Sequence, residues 1–162
     1  MSDLQCAARL LIARTGESED EPASPEESVG SLSTTGRKQA GELGDSLRDA
    51  RISMVYSSSR VHAVQTAEIV AARLGVVVRV RGALRDTTRF TDELAGIVDL
   101  HRGETVLVVT HDEVIRSAIP PLAGSVPDDY GDAHAVAPCG VIELDADADG
   151  WLLRSWSGEP VR

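Results

Sequence analysis

Ala8-Arg9-Leu10-Leu11-Ile12-Ala13-Arg14-Thr15-Gly16-Glu17-Ser18 is the stretch that decides how this chain folds. It opens as a short apolar run and stops abruptly at Arg14-Thr15-Gly16. Such a run, ended by glycine, reads as a buried strand. Polar side chains placed directly after it sit at the strand's carboxyl end, where open α/β sheets bind their ligands. Arg14, Thr15, Glu17 and Ser18 are therefore candidate ligand-binding residues.

Outward from this strand, the chain alternates. Residues 17–34 form a loop with the densest acidity in the sequence: Glu17, Glu19, Asp20, Glu21, Glu26 and Glu27. A loop of that length is usually functional or mobile. Thr34 or Thr35 then caps a helix whose apolar positions Ala40, Leu43 and Leu47 fall on one stripe. Met54-Val55-Tyr56 reads as a second strand, Ser57-Ser58-Ser59 as a turn. A second helix runs from Val61 to Leu74, with Ala67, Val70, Ala71 and Leu74 on one face and Gly75 as its stop. Residues 76–80 form a β-branched third strand. After a loop at 84–91, a helix from Thr91 to about Leu100 turns Leu94, Ile97 and Val98 inward.

Thr105-Val106-Leu107-Val108-Val109-Thr110 is the strongest strand signal in the chain, and it ends at His111-Asp112-Glu113. The helix that follows is expected to close at Pro120-Pro121. Residues 140–144 and 151–156 then make a hairpin around Asp147-Ala148-Asp149-Gly150. Strands alternating with helices predict an α/β fold: a three-layer α/β/α sandwich with a mostly parallel mixed sheet, spanning 1–162 as a single domain.

Composition bounds the function. The chain has 162 residues, 42% of them hydrophobic and only 3% aromatic. Its core must therefore rest on Val, Leu, Ile and Ala, with Trp151, Trp156, Tyr56 and Phe90 as the large anchors. A formal net charge of −10 argues against a nucleic-acid groove or an anionic membrane surface, both of which need clustered cations. Cys6 and Cys139 suit no zinc spacing and read as free thiols in a reducing cytosol. No basic segment followed by a long apolar core stands at the N-terminus, which predicts a cytoplasmic protein. No cofactor and no metal are implied, and His101 and His134 read as surface residues.

Four segments in this order resemble the histidine phosphatase superfamily, the phosphoglycerate-mutase-like proteins. Leu10–Ser18 resembles the family's strand followed by Arg-His-Gly-Glu-Ser/Thr. Leu32-Ser33-Thr34-Thr35-Gly36-Arg37-Lys38-Gln39-Ala40 is similar to its Leu-Thr-x-x-Gly-x-x-Gln-Ala helix start. Residues 55–67, containing Ser57, Ser58, Arg60, His62, Gln65 and Thr66, resemble Ser-Ser-x-x-x-Arg-Ala-x-Gln-Thr-Ala. Residues 106–116 resemble Val-Ser-His-Gly-Gly-x-Ile-Arg. The resemblance covers essentially the whole chain and leaves no room for a large cap insertion.

The family chemistry passes a phosphoryl group to a neutral imidazole, holds its oxygens with cations and a second imidazole, and protonates the leaving oxygen with a carboxylic acid. Carried over by position, the resemblance keeps the first arginine as Arg14 and the second histidine as His111. It puts Thr15 at the nucleophile, His62 at the second phosphate-clamping arginine and Asp86 at the acid. Asp112 and Glu113 replace two small residues. A hydroxyl with no adjacent base is a poor nucleophile, and an imidazole lacks the guanidinium's permanent charge and bidentate fork.

The expected function is then a degenerate histidine-phosphatase-like protein that binds a small-molecule ligand or a protein partner in the ancestral phosphate pocket. One alternative is an enzyme of another reaction class with His62, His111 and Asp86 as acid–base groups. Another is a weak phosphomonoester phosphatase. Arg60, two residues from His62, reads as a solvated arginine that is also near enough to replace the lost charge.

Overall fold

The computed structural model describes residues 6–19, 30–123, 136–147 and 149–156, together with the backbone of the short strand Glu159–Pro160. The chain runs β1 (Ala8–Arg14), α1 (Thr34–Ser46), β2 (Ile52–Ser57), α2 (Val61–Leu74), β3 (Val78–Val80), α3 (Phe90–Leu100), β4 (Thr105–Thr110), α4 (Asp112–Ala123), β5 (Val141–Asp147), β6 (Gly150–Trp156) and β7 (Glu159–Pro160). The seven strands form one sheet in the order β3-β2-β4-β1-β5-β6-β7. β3, β2, β4 and β1 are parallel, and β5, β6 and β7 continue antiparallel.

The period-2 alternation of a strand sends neighbouring side chains to opposite faces. β1 shows why its run is continuous rather than alternating: both faces are covered. Leu10 and Ile12 pack with Tyr56, Phe90, Leu94, Ile115, Ile119 and Trp156 in one core cluster. Leu11 and Ala13 pack with Leu43, Val55, Ala63, Ala67 and Val70 in the other. Helices α3 and α4 thus cover one face, α1 and α2 the other, which makes the expected three layers. Of the four large anchors, Tyr56, Phe90 and Trp156 are buried, while Trp151 packs partly buried against its cluster.

Several expectations shift in detail. α1 is capped by Ser33, not Thr34 or Thr35: the Ser33 hydroxyl accepts from the Gly36 amide at 3.0 Å, as an N-cap oxygen should. β3 is shorter than expected, and a 3₁₀ turn at Gly82–Arg85 occupies part of the expected loop. Pro120 and Pro121 do not close α4, which runs on to Ala123. Each removes one amide-to-carbonyl bond to the preceding turn, a loss confined to the last turns of the helix. β7 was carried by no pattern in the sequence.

His101 is buried rather than at the surface. Its Nε2 lies 2.7 Å from the Tyr56 hydroxyl and its Nδ1 3.3 Å from Glu104, beneath the amino end of β4. His134 lies outside the described residues, as do Asp20, Glu21, Glu26 and Glu27 of the acidic loop. Both cysteines are free. Among the described residues no helix is long and apolar enough to cross a membrane.

The segment after β1 is fixed by a main-chain approach to α1. The Ser33 amide donates to the Glu17 carbonyl at 2.9 Å, and a Cβ added to Gly36 would stand 2.0 Å from that carbonyl oxygen. No side chain fits there without moving backbone. Gly36→Ala should therefore destabilise the protein by about 1–3 kcal/mol, the usual cost of overpacking, measured as a fall in the urea midpoint without a change in slope. An unchanged midpoint would show that the contact is not needed.

Candidate functional site

Three adjacent parallel strands, β2, β4 and β1, end side by side, and each delivers one polar residue directly beyond its last position. β1 delivers Thr15, β2 Ser58 and β4 His111. Main-chain bonds hold the first two to the central strand: Thr15 N to Thr110 O at 3.0 Å and Ser58 N to Val109 O at 3.1 Å. His111 is the last residue before α4, and its carbonyl accepts from the Val114 and Ile115 amides at 3.0 Å each. All three side chains are buried.

Around them lies a cleft of about 410 Å³, lined by Arg14, Thr15, Glu17, Ser18, Arg60, His62, His111, Asp112, Glu113 and Arg116, with Gly16 and Pro138. That volume falls within the roughly 300–1,000 Å³ of small-molecule sites. Six of the seven residues picked from the sequence meet here: Arg14, Thr15, Glu17, Ser18, His62 and His111.

Asp86 does not line the cleft. Its carboxylate accepts from the Thr88 amide at 2.8 Å and the Thr88 hydroxyl at 2.6 Å. These bonds, the hydroxyl's first, hold its pKa below the ordinary aspartate value. An Asp two residues before a threonine makes such a local turn readily, so the carboxylate is spent on its own backbone rather than held as an acid.

The imidazoles form a pair. The His62 ring meets His111 edge to face, with centroids 5.1 Å apart and planes at 65°. His62 stands in the first turn of α2 and is nearly buried. The Ser58 hydroxyl lies 2.7 Å from His111 Nε2, so that nitrogen already has a partner. Burial pushes the His111 pKa down to about 3, helped by the positive charge of Arg60, His62 and Arg85. At neutral pH His111 is an uncharged imidazole.

The cations are differently committed. One Arg14 Nη donates to the Val136 carbonyl, which ties the guanidinium to the segment before β5. That segment turns through Ala137-Pro138-Cys139-Gly140, with Gly140 N bonded to Ala137 O at 2.7 Å and Cys139 at φ +58°. A positive φ at the third turn residue behind a proline marks a type II turn, normally a glycine position. The Cys139 amide reaches back to the carbonyls of Arg14 and Thr15 at 3.1 and 3.3 Å, so this turn braces the end of β1. Arg116 and Asp112, one helical turn apart, pair at 2.9 Å. Asp112 Oδ1 also accepts from Val136 N at 2.8 Å. Arg60 Nη2 lies 3.6 Å from Glu113 Oε1.

Sequence reasoning missed the roles of Ser58, Arg116 and the 136–140 segment. Ser58 and Arg116 sat inside the quoted motifs, and the Asp112–Arg116 spacing of four on a helix was a readable signal. The brace from Val136 and Cys139 had none, because it joins positions more than 120 residues apart. Among the described residues, no group of three or more His, Cys, Asp or Glu side chains could hold a metal ion.

The neutral state of His111 carries a linkage. Its pKa is near 6.5 when unfolded and about 3 when folded, so between these values the unfolded chain binds the extra proton. Stability should fall as pH drops from 6.5 toward 3. The decline in melting temperature over that range should be shallower in His111→Asn than in the wild type. Equal slopes would show that His111 is charged in the fold.

Comparison with known proteins follows this geometry. The model of the histidine phosphatase superfamily (branch 1) matches residues 10–88 and 86–158. Comparison with curated protein sequences gives no match. Among solved structures, YhfR of Bacillus stearothermophilus superposes with a TM-score of 0.81 at 21% identity, covering 94% of this chain and 98% of its own. A mycobacterial glucosyl-3-phosphoglycerate phosphatase complexed with VO3 gives 0.78 at 19%, covering 91% and 98%. A mutant phosphoserine phosphatase from Entamoeba histolytica, with one histidine replaced by alanine and phosphoserine bound, gives 0.76 at 15%, covering 93% and 97%. With its strands, helices and cleft in the order that the family model spans, this chain belongs to the histidine phosphatase superfamily, branch 1.

Proposed function

We propose that this protein binds a phosphorylated small molecule, or a phosphorylated group of a partner protein, in the cleft and does not pass the phosphoryl group to itself. The observation that carries this reading is Thr15. It is buried at the end of β1, where the family motif has its nucleophilic histidine, beside an Arg14 that keeps a cation at the same strand end. A threonine hydroxyl needs a base to attack phosphorus at neutral pH. The neighbouring imidazole with its proton affinity pushed far down is a weak base.

The remaining groups support holding rather than transfer. Arg14 offers charge-assisted hydrogen bonds to an oxyanion. His62 and a neutral His111 add directional polar contacts. Similar folds bear on the holding alone: a mycobacterial phosphatase is complexed with VO3, and a phosphoserine phosphatase from Entamoeba histolytica with a histidine replaced holds phosphoserine.

Attack by His111 has less support, because Ser58 already occupies its Nε2. An acid–base enzyme built on His62, His111 and Asp86 also has less support, because Asp86 is engaged by Thr88 away from the cleft lining. On a chain of net charge −10 whose cleft arginines are matched in number by carboxylates, nucleic acid and anionic membranes remain poor partners.

Two measurements on the wild-type protein test this. Hydrolysis of p-nitrophenyl phosphate should stay at the buffer background, and intact-mass analysis should find no phosphoryl adduct. Inorganic phosphate should bind by calorimetry, and Arg14→Ala should weaken it by roughly ten- to a hundredfold, the worth of a charged hydrogen bond. Turnover above background, or an adduct on the chain, would contradict the reading.

A further inference from the structure

The charges lining the cleft are balanced rather than cationic. Three guanidiniums, of Arg14, Arg60 and Arg116, share it with three carboxylates, of Glu17, Asp112 and Glu113. The members differ in how firmly they are tied. Asp112 is satisfied on both oxygens, by Arg116 Nε and by the Val136 amide. Arg14 is tied to the Val136 carbonyl. Arg60 and Glu113 face each other at 3.6 Å, beyond good hydrogen-bonding distance, and both are well exposed.

Their placement gives this loose pair a direction. Arg60 is the cap residue at the amino end of α2, and Glu113 stands in the first turn of α4. The amino end of a helix favours anions. At α4 that preference is taken by its own Asp112 and Glu113. At α2 no acidic residue stands in the first turn. An incoming phosphate is therefore drawn to the Arg60 side and meets the Glu113 carboxylate close by. For a simple phosphate dianion this repulsion weakens the hold of the cleft arginines without abolishing it. A ligand that carries its own cation beside the phosphate replaces the Arg60–Glu113 pair with two new ones.

Resting on the reading that the cleft holds phosphate, we propose that Glu113 makes it selective for zwitterionic phosphate monoesters, in which an ammonium lies a few bonds from the phosphate. The short spacing of the protein's two charges sets the short spacing required in the ligand. Glu113 acts as a specificity residue: it discriminates against the uncompensated anion as much as it attracts the ammonium.

The test uses a matched pair of probes, O-phosphoethanolamine and ethyl phosphate, which differ by one ammonium. Each is titrated calorimetrically into the wild-type chain and into Glu113→Gln at pH 7. Glu113 is exposed, so the variant should fold with an unchanged melting temperature. In the wild type, O-phosphoethanolamine should bind at least tenfold tighter than ethyl phosphate. In Glu113→Gln the preference should fall toward unity, with ethyl phosphate binding more tightly than it does to the wild type. If both probes bind the wild type equally, or the preference survives Glu113→Gln, the role of Glu113 is overturned while the phosphate reading stands. If neither probe nor inorganic phosphate binds the wild type, the phosphate reading itself fails, and this inference with it.

Discussion

The parallel pairing of β4 with β1 on one side and β2 on the other is the constraint on which everything else rests. It brings the residues after three strands to one edge of the sheet, and the bonds from Thr15 N and Ser58 N to β4 carbonyls fix their height. A slip of one residue in either pairing would turn the side chains to the opposite face. The two cores prevent that slip, because each face of β1 and β4 is buried under its own helix pair. The cleft is therefore a consequence of packing on both faces, not of local loop structure.

Electrostatics then decide what such a cleft can do. Phosphoryl transfer needs a nucleophile and an excess of positive charge around the reacting oxygens. Here β1 ends at the Thr15 hydroxyl, which the proposed reading sets at the nucleophile's place, and burial leaves His111 uncharged. The three arginines share the cleft with three carboxylates, Arg116 pairing with Asp112 on α4 and Arg60 facing Glu113 across from the start of α2. Asp112 and Glu113 at the amino end of α4 use up a dipole that would otherwise favour an anion. On the proposed reading, the arrangement keeps polar specificity and lacks the strong field that chemistry on phosphate requires.

Much of this was legible in the sequence where structure is set by local pattern. The apolar runs of β1, broken by Arg9, and of β4 marked their boundaries to within a residue, and Gly75 marked the stop of α2, where it takes a positive φ of +69°. Long-range partners were not legible. His101 looked like a surface residue because nothing local shows that Tyr56, 45 positions away, completes its hydrogen bond. Asp86 looked like a catalytic acid from its motif position, but the hydroxyl two residues on claims it. Ser33 rather than a threonine caps α1 because only the backbone geometry at Gly36 decides which hydroxyl reaches the orphan amide.

The proposed function turns on one claim, that no atom in this cleft is poised to carry a phosphoryl group. The most direct measurement is a crystal structure of the wild-type chain soaked with orthovanadate. The account predicts a tetrahedral vanadate beside Arg14, hydrogen-bonded and bonded covalently to no side chain. A five-coordinate vanadate with His111, His62 or the Thr15 hydroxyl in the apical position would contradict it.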